Sequence, residues 1–284
     1  MPDQRDTFNA VAAEYDAVRP TYPAELYDDL ASVVGGVGMR VLEVGCGSGQ
    51  ATQGFLDRGW QVVAVDPGDE LVALAKANLT GEVAFHVSPF ETFQAEPGAF
   101  GLVASAQAWH WIEPTLSFPR AARALRPGGV LAVFGHVPLS PPPDILQRLE
   151  PIYQDIAPDL WRPPPQAWYL PGGPVRELFD ASGLFGPVTH RAFTWTEQVT
   201  PAAVVRQLRT RSDYNMIGAA RRERLLAEVE TALGPLGALP LANETHLYRA
   251  VVRFETVAKP ASVSRHDGPP GNSTIETRPS AARS

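Results

Sequence analysis

A β-branched run that breaks into glycine at every second position constrains this chain more than any other feature. Residues 41–50 read Val-Leu-Glu-Val-Gly-Cys-Gly-Ser-Gly-Gln, and residues 62–66 read Val-Val-Ala-Val-Asp. The first run predicts a short strand ending in a loop, with glycines 45, 47 and 49 free to take backbone angles that a Cβ forbids. Glycine there also lets a ligand lie against the main chain. A helix-length segment follows, and a second strand then closes on Asp66, seventeen residues beyond the last glycine. An acid at the tip of that strand can accept both hydroxyls of a ribose. Together the loop and the acid predict a nucleoside-bearing cofactor across the carboxyl ends of a parallel sheet.

Spacing decides which cofactor. A dinucleotide loop needs G-x-G-x-x-G, and the position of its third glycine is held here by Gln50. The Lys-Ser/Thr ending of a triphosphate-binding P-loop is missing as well. The pattern Glu43-x-Gly45-x-Gly47-x-Gly49 resembles the first motif of the class I S-adenosylmethionine (SAM) methyltransferases. The resemblance implies SAM as cofactor. Gly45, Gly47 and Gly49 would then cradle its methionine part, Glu43 would support the cradle, and Asp66 would hold the ribose. Cys46, Pro67, Ala106 and Gln107 would complete the cofactor site. Ser88, Pro89 and Phe90 follow the third strand, where the family places its adenine contacts. Cys46 is the only cysteine, so no intrachain disulfide forms and the cytoplasm is the expected compartment. Inside the tight loop it reads as a small filler rather than a reactive thiol.

Between and after these motifs, strands alternate with helix-length segments. Strands are expected at 40–44, 61–66, 83–87, 101–106, 130–135 and 188–194, with a last one at 245–255. Helices are expected at 51–58, 70–78, 116–125, 175–182, 201–211 and 216–233. This alternation predicts right-handed crossovers and an α/β, doubly wound, Rossmann-like seven-stranded sheet. Six of its strands are expected to be parallel and the last antiparallel, with helices at the N-terminus. Residues 1–257 make one methyltransferase domain in this reading, and 258–284, almost without apolar residues, a disordered tail. Residues 138–174 carry the triplets Pro141–Pro143 and Pro163–Pro165 among Tyr153, Trp161, Trp168 and Tyr169. The prolines predict irregular chain, and the aromatics predict an ordered, inserted lid over the cofactor face.

Further segments resemble one small-molecule branch of the family, that of the trans-aconitate and cantharidin-type methyltransferases. They are the leader ending Tyr15-x-x-x-Arg19-Pro-x-Tyr22-Pro23, the stretch Ser88–Glu91, the stretch Ala106–Trp111 and the run Leu208–Ser212. The branch implies a small-molecule partner, with carboxylate or hydroxyl oxygen as the leading acceptor. Nitrogen or carbon acceptors stay open, as does a SAM-binding scaffold or cyclase that transfers nothing. Basic lining would fit a carboxylate, and aromatic lining would fit a ring carbon or nitrogen. A net charge of -7 argues against a nucleic-acid partner, and the apolar runs are too short to span a membrane. No motif specifies an oligomeric state.

A sulfonium methyl is already electrophilic, so the protein mainly has to align the acceptor. The fourth strand is expected to deliver residues 107–111 beside that methyl. His110 is the candidate base or hydrogen-bonder, since its ordinary pKa lies near neutrality. In an extended segment Trp109 and Trp111 would share one side and His110 the other. Tyr15, Arg19, Tyr22, Trp109, Trp111 and Trp168 are the candidate substrate contacts. No His/Cys/Asp/Glu grouping has metal-ligand spacing, so no metal is expected.

Overall fold

The computed structural model describes residues 21–161, 168–209 and 211–254, all within one compact unit, Met1–Phe254. Helix α1 (Ala24–Val34) leads into β1 (Arg40–Val44), α2 (Thr52–Leu56), β2 (Gln61–Asp66), α3 (Asp69–Asn78) and β3 (Val83–Val87). Then come β4 (Phe100–Ala106), α4 (Pro114–Ala124), β5 (Leu125–Pro138), α5 (Pro143–Ile156) and α6 (Val175–Ser182). The chain finishes with β6 (Thr189–Val199), α7 (Pro201–Arg209), α8 (Ser212–Met216), α9 (Ala219–Leu233) and β7 (Leu239–Val251).

The seven strands form one sheet in the order β3-β2-β1-β4-β5-β7-β6. Strand β7 runs antiparallel to both β5 and β6, so the other six point one way. Strands β1 and β4 are buried nearly throughout, as a parallel sheet covered on both faces requires. One face packs its apolar residues with α1, α2 and Val72 of α3, the other with α4 and α6. The order reverses between β1 and β4. That leaves a crevice at their carboxyl ends, where open α/β sheets bind ligands. No helix among the described residues is long and apolar enough to cross a membrane.

Several bounds differ from the sequence reading: β5 starts at Leu125 rather than 130, and the helix expected at 216–233 is divided into α8 and α9. Strand β7 starts at Leu239 rather than at 245, and β6 continues to Val199 rather than ending at 194. Their pairing runs on to Val199↔Leu239, beyond the last β5 pair, Pro138↔Asn243. There β7 has a neighbour on one side only, which tolerates Pro240 and hides the strand from its sequence pattern. Residues 138–174 differ more. A 14-residue helix, α5, starts on the last proline of the first triplet. A first-turn N–H has no intrahelical partner to lose, so proline opens a helix readily. Ile145, Leu149, Tyr153 and Ile156 make a buried stripe at helical spacing, which outweighs the interior Pro151. This stripe packs with α7 and α9 into a separate apolar cluster, while Trp168, Tyr169 and Leu170 pack on the sheet. None of the described residues of 138–174 lines the crevice. The second triplet and the tail lie outside the described residues.

Candidate active site

The glycine loop leaves β1 and crosses the end of β2, where the N–H groups of Gly45 and Cys46 both donate to the carbonyl of Val65, at 2.7 and 3.3 Å. Gly45, Gly47 and Gly49 all have positive φ, at 72°, 54° and 92°. They serve different ends. A Cβ on Gly45 would lie 2.2 Å from the Cβ of Ala108, so this glycine lets the loop press against the segment after β4. Gly47 lines the crevice, and a Cβ there would meet no atom within 4 Å. Gly49 does not line it; a Cβ on it would meet the Leu79 side chain at 3.0 Å, so it packs the loop against the end of α3.

Asp66 braces this loop. One carboxylate oxygen accepts the N–H of Gly47 at 2.9 Å and the other that of Gly68 at 2.8 Å. Burial raises its pKa, against the pull of those two hydrogen bonds. Each oxygen keeps a further lone pair, and Asp66 lines the crevice, so a ligand hydroxyl can still be accepted. Glu43 sits beneath the loop rather than in the crevice. Its Oε2 accepts the Thr52 hydroxyl at 2.7 Å, and burial, helped by the charge of Asp66, pushes its pKa up to about 8. The acid is therefore mostly protonated at neutral pH. Because the folded value is raised, its contribution to stability is complete below the ordinary carboxylate range and is lost as pH rises through about 8. Melting temperatures of wild type and Glu43→Gln should therefore lie close together near pH 5. Above pH 8 the wild type should fall below the variant, and parallel curves would exclude a buried neutral acid at this position.

Around the loop the crevice is lined by Cys46, Pro67, Pro89, Phe90, Ala106 and Gln107. Burial pushes the Cys46 thiol up, which leaves it a poor nucleophile. Ser88 stands outside the lining, its hydroxyl buried without a partner. Ser48, which no sequence signal marked, is in the lining, and its buried hydroxyl also lacks a protein partner.

The segment after β4 is turned, not extended. Trp109–Trp111 forms one 3-10 turn, whose residues step by about a third of a circle instead of alternating. Trp109 goes into the core, 1% exposed, with Phe90 and Phe118 rings at 6.1 and 5.5 Å. His110 and Trp111 both line the crevice, so the expected pairing of the two tryptophans on one side does not occur. His110 Nδ1 lies 3.2 Å from the Tyr169 hydroxyl, and burial lowers its pKa to about 4. Trp168 does not line the crevice; its ring stands 5.7 Å from His110. Tyr22 does line it, stacked at 4.2 Å on His136. Gln107 holds φ at 57°, donating its N–H to Phe134 O and its side-chain amide to His136 O. Tyr15 and Arg19 lie outside the described residues.

Sequence reasoning missed His136 and did not single out Tyr169 as a partner of His110. His136 sits at the carboxyl end of β5, so the rule that selected residues 106–107 would have found it. Its Nδ1 is 2.9 Å from the buried Thr245 hydroxyl. Tyr169 was marked only as one of the aromatics among the prolines of 138–174. Among the described residues no three His, Cys, Asp or Glu side chains gather as metal ligands.

A doubly wound sheet with a glycine loop at its switch point and an acid ending β2 defines a nucleoside-cofactor enzyme. Residues 42–133 match the methyltransferase domain family. An uncharacterized methyltransferase of Mycobacterium tuberculosis is 30% identical over 241 residues, covering 85% of this chain and 91% of that protein. A chain assigned as a type II methyltransferase from Anaeromyxobacter dehalogenans superposes with a TM-score of 0.60 at 24% identity, covering 83% of this chain and 97% of that one. Phosphoethanolamine N-methyltransferase 2 of Haemonchus contortus, solved with S-adenosyl-L-methionine, superposes with a TM-score of 0.50 at 18% identity, over 88% of this chain and 60% of that one. The chain belongs to the methyltransferase family, in its class I, SAM-dependent division. It is an enzyme, and S-adenosyl-L-methionine is its cofactor.

Proposed function

We propose that this methyltransferase transfers its methyl group to an oxygen, carboxylate or hydroxyl, of a small molecule rather than of a nucleic acid. The residues present fit the cofactor. Gly47 opens on the crevice, and the Ser48 hydroxyl is buried in its wall without a partner. Asp66 has lone pairs to spare for the ribose. Glycines 45 and 47 with Cys46 would hold the methionine part, and Pro67, Pro89, Phe90, Ala106 and Gln107 the adenosine. Glu43 and Gly49 act from behind the loop. When bound, SAM supplies an electrophilic methyl carbon: the acceptor atom bonds to it while the carbon–sulfur pair returns to sulfur.

The other walls include Tyr22, Glu91, His110, Trp111, Ile112 and His136. Their part is to position a flat acceptor and to keep water out. The observation that carries the oxygen reading is His110, an imidazole in the crevice wall among the aromatic rings of Trp111, Trp168 and Tyr169, where an oxygen needs a hydrogen-bonding partner. A second reading, transfer to a ring nitrogen or carbon, draws on the same lining, which is aromatic and, among the described residues, without Lys or Arg. The lack of a basic side chain does not exclude a carboxylate, since the sulfonium itself brings a positive charge.

Incubation with methyl-labelled SAM and a small-molecule extract separates these readings. Label released as methanol by mild alkali marks an ester, and label retained in an ether marks a hydroxyl acceptor. Either supports transfer to oxygen. Label fixed on carbon or nitrogen would overturn it, and no label in any small molecule would overturn small-molecule transfer.

A further inference from the structure

We infer that Tyr169 positions His110 as a neutral N–H donor facing the crevice, so that the site takes an acceptor whose oxygen arrives already deprotonated. The inference rests on the oxygen reading above for its second half only. Its first half is geometric. Tyr169 is 4% exposed and packs with the core of the sheet. A Cβ on Gly135 would lie 2.6 Å from the Tyr169 ring, so the ring lies against bare β5 backbone that only glycine provides. Its carbonyl accepts the Tyr248 hydroxyl at 3.1 Å, which ties this stretch of chain to β7. The Tyr169 hydroxyl is thereby delivered to Nδ1 of His110 at 3.2 Å.

Two chemical facts set the direction of that hydrogen bond. A phenol is a far stronger acid than a neutral imidazole N–H, and an imidazole nitrogen is a far better acceptor than a phenol oxygen. The hydroxyl therefore donates, and Nδ1 accepts. Neutral imidazole carries one proton, so that proton sits on Nε2. With Nδ1 turned to Tyr169, Nε2 is the polar atom His110 offers the crevice it lines. A ring presenting N–H there has no lone pair with which to remove a proton, and its burial resists a second proton. It can bind an oxygen anion. Reaction of that anion with a sulfonium methyl forms the O–C bond, breaks the C–S bond and leaves two neutral products. No proton has to go anywhere, so neither His136 nor Glu91, which also line the crevice, is needed as a base. Tyr169 is a positioning residue in this scheme, acting only through His110.

The test is nitrogen NMR of protein labelled in histidine, comparing wild type with Tyr169→Phe at neutral pH, with S-adenosylhomocysteine affinity measured on both. In the wild type, His110 should show protonated Nε2 and unprotonated Nδ1. In Tyr169→Phe the two resonances should move toward each other as the tautomers mix, while S-adenosylhomocysteine affinity stays within about twofold. A purely structural tyrosine would change affinity and stability without changing the tautomer. Protonated Nδ1 in the wild type, or unmoved resonances in the variant, overturns the positioning role. A variant that loses the cofactor is replaced by wild type alone, whose tautomer still decides. The second half is read from the labelled products: esters, or ethers of hydroxyls acidic enough to ionise at assay pH, support it, and ethers of ordinary alcohols overturn it. Failure there with the expected tautomer leaves transfer to oxygen standing. Label on carbon or nitrogen sinks that reading without touching the tautomer.

Discussion

Gly45→Ala should lower stability by about 3 kcal/mol and abolish measurable cofactor binding. Two independent costs add. An L-residue at φ 72° carries roughly 1–2 kcal/mol of steric strain. A Cβ placed 2.2 Å from that of Ala108 then forces the loop and the turn after β4 apart, at a cost of about 1–3 kcal/mol. For a domain of this size that sum corresponds to a melting temperature lower by roughly 6–12 °C. Binding suffers more than stability. The displaced segments are the two walls of the crevice, with Gly45, Cys46 and Gly47 on one side and Gln107, Ala108 and His110 on the other. Replacing Ala108 by glycine as well removes the facing methyl. The double variant should recover the overlap part of the stability loss but keep the strain part. Differential scanning fluorimetry decides it: full additivity of the two substitutions would mean that the contact does not matter.

The parts of the fold that were legible in the sequence are those whose determinants are close together along the chain. The glycine loop, the strand before it and Asp66 are each specified by backbone angle, β-branching or position at a strand tip. Their spacing needed no tertiary knowledge. The parallel sheet followed from alternation of strand and helix. Boundaries failed where a neighbour rather than the residues set them. The early start of β7 depends on β6 extending beside it, which the polar stretch around Asn243 does not announce. Helix α5 opens on Pro143 because its apolar stripe has α7 and α9 to pack against. Proline counted locally gave the opposite answer.

The site divided in the same way. Crevice residues at strand ends, such as Asp66, Ala106 and Gln107, could be named in advance. The proposed acceptor side is assembled from remote pairs, His110 with Tyr169 across 59 positions and His136 with Thr245 across 109. No local pattern encodes such pairs. Trp109, expected to touch substrate, went into the core because a single 3-10 turn replaced an extended segment, while His110 kept its place in the crevice. One turn of backbone decided which ring met the core and which met the crevice.

Asp66→Ala should cost the second large effect, about 100-fold in affinity for S-adenosylhomocysteine. It removes the proposed ribose partner, worth about 1.5–3 kcal/mol for a charged acceptor, and also frees the N–H groups of Gly47 and Gly68 that its two oxygens hold. Asp66→Asn keeps one carbonyl oxygen for one of these N–H groups, turns an NH2 toward the other, and should fall between. Titration calorimetry on wild type, Asp66→Asn and Asp66→Ala, with melting curves to show that all three are folded, is the most direct test of a cofactor site built on the glycine loop and this acid. A graded loss in that order is the predicted result. Equal affinity in folded wild type and folded Asp66→Ala would contradict it.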